Sequence, residues 1–147
     1  METYNTDLVI TVRPHGATTP IIRYGINQLD PEYVKLTKET LLHFNVNLLK
    51  GNQKFLLEFD NKTNDTPDMA VEVVSVTFEG MTLDRFKWAS KYYPNYPEPW
   101  ASEQTEPLPK FHSSCTYLGW NGVWELEFKT PIFTWIHQLE HLGWIYD

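Results

Sequence analysis

Short runs of alternating apolar and polar residues, separated by turn formers at roughly 8 to 15 residue spacing, predict an all-β chain. The architecture that such runs build is an antiparallel sandwich or barrel. Composition agrees. Of 147 residues, 41% are hydrophobic and 15% aromatic, which excludes a disordered chain and supplies the core of one domain over 1–147. No internal repeat and no linker divides it.

The first run, Leu8-Val9-Ile10-Thr11-Val12-Arg13, is β-branched and stops at Pro14 and Gly16. Ile21 to Ile26 forms a second after the Thr-Thr-Pro break. Leu42 to Leu48 is the clearest strand, with His43, Asn45 and Asn47 on the face opposite its apolar residues. Lys50-Gly51-Asn52 turns the chain into a strand whose inward residues are Phe55, Leu57 and Phe59. A polar loop over 60–68 follows, then Ala70 to Phe78, apolar enough on both faces for a central strand. Glu79-Gly80 turns into Met81-Thr82-Leu83.

Residues 89–114 differ. Pro94, Pro97, Pro99, Pro107 and Pro109 are interleaved with Tyr92, Tyr93, Tyr96 and Trp100, which predicts an irregular insertion packed on the sandwich. Strand pattern returns at Cys115, with Asn121-Gly122 as a hairpin turn into Val123–Lys129, where Trp124, Leu126 and Phe128 point inward. The C-terminal segment fits a short helix, with Thr130 as N-cap, Pro131 as first helical residue and Gly143 as C-cap. A further strand over Ile132–Ile136 is the alternative.

Twelve basic against nineteen acidic residues give a net charge of −7, the wrong balance for tracking phosphates, so nucleic acid is excluded as a partner. No apolar run approaches the roughly 20 residues of a membrane span. No basic leader followed by an apolar stretch opens the chain, so synthesis in the cytoplasm without a signal peptide is expected. Cys115 stands alone, which rules out an internal disulfide framework.

His137, Glu140 and His141 match the H-x-x-E-H spacing of a zinc hydrolase. A third ligand well downstream is required, and only six residues follow, so a solvated helix face is the preferred reading. Asp60, Asn64, Asp65 and Asp68 offer oxygen ligands suited to calcium, without EF-hand spacing. Nothing pairs a nucleophile with a base, and the expectation is a non-enzymatic protein. Trp88, Tyr92, Tyr93, Tyr96 and Trp100 cluster in and beside the irregular stretch. Such rings stack on the apolar faces of sugars, with Asn64, Asp65 and Asp68 as polar contacts, or else they pin the insertion or form a subunit interface.

Two groups of residues carry a family resemblance. Ile10-Thr-Val-Arg-Pro-His-Gly-Ala-Thr followed by Pro20-Ile-Ile-Arg-Tyr-Gly-Ile-Asn is similar to the opening of the calcium-dependent xylan-binding modules. Glu58-Phe-Asp-Asn, then Asp68 through Gly80, resembles their E-F-T-N-D and D-x-x-V-x-V-D-x-I-x-V-N-G patterns, and Leu118 through Phe128 is loosely like their closing strand. The matching stretches cover about half the chain. The resemblance implies a β-sandwich of jelly-roll type that binds polysaccharide through a calcium ion. Val74 stands where the family has an aspartate, the loop glycines are gone and Cys115 lacks its partner, so no metal ligand carries over.

The sequence therefore leads to a carbohydrate-binding module, in one setting a glycan adhesin borne on a phage virion. The alternative is a virion structural protein, a decoration or tail-fibre-associated subunit or homo-oligomer, using the same aromatics as its interface.

Overall fold

The computed structural model describes residues 2–145, with side chains through Leu139. In chain order, β1 (Thr3–His15), β2 (Ile21–Ile26), β3 (Val34–Lys35), β4 (Thr40–Leu49) and β5 (Gly51–Phe59) precede β6 (Ala70–Phe78) and β7 (Met81–Thr82). Helix α1 (Asp84–Trp88) leads into β8 (Ser90–Pro94), followed by a 3-10 turn at Ala101–Glu103. β9 (His112–Ser113), β10 (Tyr117–Leu118), β11 (Gly122–Thr130) and α2 (Ile132–Ile145) complete the described chain.

Among the described residues these strands form two antiparallel sheets. One runs β10-β6-β1-β4 with β7 paired to β6; the other runs β3-β2-β5-β11-β8-β9. The chain passes back and forth between them, as in the expected jelly-roll sandwich. Alternation explains the core. Leu8, Ile10, Val12, Val76 and Phe78 from one sheet meet Phe55, Leu57, Phe59, Trp124, Leu126 and Phe128 from the other, all buried. Removing any of the large rings would cost about 3 kcal/mol or more. β6 is central, held by β1 on one side and β10 on the other.

The helix prevails over a strand at the C-terminal segment because Ile132, Trp135 and Ile136 recur at helical spacing and are buried. Trp135 stacks on Phe86 at 5.7 Å and meets Phe78 edge-on at 5.5 Å, so α1 and α2 seal one end of the core.

Three local expectations are corrected. Residues 89–114 are not irregular throughout: Ser90–Pro94 is a full strand paired with β11, because Ser90 and Tyr92 alternate inward like any sheet residues. Asn121-Gly122 is not a hairpin turn. β10 belongs to one sheet and β11 to the other, so the dipeptide is a crossover, and the Asn121 carboxamide bonds the Lys62 backbone at 2.8 and 2.9 Å. Thr130 does not cap the helix. It stays in β11 and its hydroxyl donates to the Leu49 carbonyl at 2.5 Å, leaving Pro131 ahead of a helix that begins at Ile132 and continues past Gly143.

Candidate functional site

One side of the sandwich, where β10 ends one sheet and β8 and β9 end the other, carries an open groove of about 620 Å³. β8 contributes Tyr92 and Pro94. The loop beyond it adds Tyr96, Pro97 and Trp100, β9 adds His112, and the 115–120 segment adds Cys115, Tyr117, Gly119 and Trp120. Asn64 reaches the groove from the 60–68 loop.

The loop after β8 is fixed by its own bonds. The Tyr96 hydroxyl donates to the Pro109 carbonyl at 2.6 Å, and the Tyr96 and Trp100 rings lie 6.1 Å apart. Ala101 N–H donates to Pro97 at 2.8 Å and the Gln104 carboxamide to Trp100 at 2.9 Å, so the 3-10 turn holds Trp100 in place. Trp100 remains 46% exposed and Tyr117 52% exposed. Both rings thus face solvent from the groove. Behind Tyr117, the His15 ring packs at 5.3 Å and bonds Glu72 at 2.9 Å. Burial pushes the Cys115 thiol up, and its Sγ donates to the Tyr117 carbonyl at 3.3 Å.

The expected site residues divide. Tyr96, Trp100 and Asn64 meet in the groove. Tyr92 lines it as well, but only 3% of the residue is exposed and its hydroxyl donates to the Trp120 carbonyl. It is a wall, not a stacking platform, and burial keeps its phenol protonated. Tyr93 points to the other face of its sheet by strand alternation and packs on Phe111 at 5.6 Å. Trp88 ends α1 with 53% of its surface exposed and lies outside the groove. Asp65 and Asp68 also lie outside it; Asp68 accepts from the Ala17 N–H at 3.3 Å and braces the loop. Trp120, Tyr117 and His112 were not among the expected residues. The Trp-Asn-Gly sequence at 120–122 was the available signal for Trp120.

Among the described residues no three of His, Cys, Asp and Glu come together to hold a cation. Val74, at the expected aspartate, sits opposite the register shift between Thr11 and Val12, and its carbonyl accepts from Lys87 Nζ at 3.2 Å. In the H-x-x-E-H motif, the Glu140 and His141 side chains lie outside the described residues. No helix among the described residues is long and apolar enough to cross a membrane.

The two-sheet sandwich is similar in fold to solved carbohydrate-binding structures. One is vCBM60 in complex with galactobiose, with a TM-score of 0.50 over 82% of this chain and 96% of that one, at 13% identity. A second is the selenomethionine form of vCBM60, described with a circular permutation linking two families of calcium-dependent carbohydrate binding modules; it covers 82% of this chain and 89% of that one, at TM-score 0.50 and 13% identity. At that identity the likeness is one of fold, and there the expected resemblance holds. No family model matches the chain, and no curated protein matches it.

Proposed function

We propose that the protein is a non-catalytic carbohydrate-binding module that takes polysaccharide in the groove lined by Tyr96, Trp100, Tyr117 and Trp120. The observation that carries this is the pair of half-exposed rings, Trp100 and Tyr117, lining one concave groove. Sugar rings present apolar C–H faces that stack on aromatic surfaces, while their hydroxyls need hydrogen-bond partners. Asn64 and His112, both on the groove wall, supply an amide and an imidazole for those hydroxyls. The likeness of fold to vCBM60 supports the same reading. Binding by stacking and hydrogen bonds needs no metal step, and we assign calcium no ligand in this groove. The virion setting rests on the sequence reading alone.

Affinity electrophoresis against a panel of soluble polysaccharides, with calcium and then with chelator, tests the proposal. Retardation by at least one polymer that persists in chelator is the expected result. Retardation lost on chelation would overturn the metal-free mechanism. No retardation on any polymer, together with an oligomer by light scattering, would favour the subunit-interface reading.

A further inference from the structure

The opposite side of the sandwich holds a second concavity, independent of the sugar reading. There β4 ends one sheet and β2 with β3 end the other. β4 pairs only with β1, from Thr3–Leu49 to Val12–Thr40, so its outer edge presents a row of backbone N–H and C=O groups without strand partners. Natural edge strands are blunted by lysine, proline, a bulge or short length. β4 has none of these: ten residues, Thr-Leu-Leu-His-Phe-Asn-Val-Asn-Leu-Leu, with no Lys, Arg, Asp, Glu or Pro. The register shift in its sheet lies between β1 and β6 instead.

Beside this edge lies a cavity of about 380 Å³. Phe44 and Val46 of β4, Tyr24 of β2 and Val34 of β3 give it apolar walls, and the exposed carboxylates of Asp30 and Glu32 line it too. Tyr24 meets Phe44 edge-on at 5.8 Å. Among the described residues neither Asp30 nor Glu32 has an ion-pair partner; the Asp30 carboxylate only accepts from the Glu32 N–H at 2.9 Å. Burial, then these two carboxylates, raise the pKa of the Tyr24 phenol and keep it neutral.

We propose that this edge and cavity together dock an extended basic segment of a partner protein, added to β4 as a further strand. Strand addition draws affinity from main-chain hydrogen bonds and specificity from pockets that receive alternate side chains. A lysine matches this pocket: its aliphatic stem lies along Phe44 and Val34 while the ammonium reaches Asp30 and Glu32. Charge argues against a second copy of the chain as the occupant. β4 carries no Lys or Arg and its His43 is engaged by Asp7 at 2.6 Å, so edge-to-edge self-pairing brings no free cation from that strand to the two carboxylates.

The test uses the full ¹⁵N-labelled chain and two acetylated, amidated hexapeptides of alternating Val and Thr, one with a central Lys and one with Glu there. The Lys peptide is expected to shift the backbone amides of Thr40–Leu49 and slow their exchange. The Glu peptide should bind about fivefold more weakly, the weight of one partly exposed charge pair. An Asp30→Asn, Glu32→Gln double variant, altered only at exposed positions, should lose that preference. Amides left unmoved by the Lys peptide, or equal binding of both peptides, would overturn the proposal. A sedimenting dimer whose β4 amides are already protected would assign the edge to self-pairing instead.

Discussion

Lys62 holds its ammonium 5.5 Å from the centre of the Trp120 ring while donating to the neighbouring Gly119 carbonyl at 2.6 Å. One side chain thus ties the 60–68 loop to the crossover that forms a groove wall. Replacing it by Lys62→Met keeps the stem and removes the charge. A loss of about 1 kcal/mol is expected by denaturant unfolding, from the charged hydrogen bond and the cation–π contact together at a partly exposed site. Polysaccharide affinity should fall with it, because Trp120 loses its brace.

Trp100 and Trp124 should respond oppositely. Trp124 is fully buried and its Nε1 donates to the Cys115 carbonyl at 2.9 Å, whereas Trp100 is half in solvent. Trp100→Ala should abolish polymer retention and move the melting temperature by about 1 °C or less, as surface substitutions do. Trp124→Ala should cost about 3 to 5 kcal/mol. Calorimetric melting of both variants decides this.

Gly122 is required by close approach. A Cβ there would run into the Tyr93 carbonyl and lie 2.8 Å from the Pro94 Cα, across the β8–β11 pairing. Backbone atoms cannot swing aside, so Gly122→Ala should cost about 1 to 3 kcal/mol and loosen the Tyr92 wall. Urea unfolding and the exchange rates of the β8 amides are the measurements.

Asp7 predicts the acid limb. Hydrogen bonds from His43 at 2.6 Å and Asn45 at 3.2 Å hold its carboxyl below the usual carboxylate range. A depressed folded value favours the ionised form, so this stabilisation is present above the unfolded value, near 3.8, and is lost as pH falls through the lower folded one. Asp7→Asn should therefore flatten the fall of stability as pH drops below about 4, read from urea midpoints across the acid range.

Much of the sandwich was legible because burial on one face writes a period of two into the sequence. Ile21–Ile26 was found to the residue, and His43, Asn45 and Asn47 are exposed as expected. What failed were signals that specify local backbone but not destination. Asn-Gly permits a tight turn, yet here Gly122 serves a close contact between the paired strands β8 and β11 and Asn121 bonds the 62 backbone. Thr130 could cap a helix, yet the Leu49 carbonyl takes its hydroxyl. The groove was half legible. Tyr96 and Trp100 are neighbours in sequence and in space, but alternation sends Tyr93 to the far face, and Tyr117 and Trp120 arrive from another strand and crossover.

Under the proposed function, sugar stacks on the groove rings. Titrating the ¹⁵N-labelled protein with an oligosaccharide of a polymer that retards it, while following the indole N–H signals, tests this most directly. The Trp100 and Trp120 indoles are expected to shift together with saturation while Trp124, locked on the Cys115 carbonyl, stays still. Shifts confined to Trp88, or no indole shift at saturation, would contradict it.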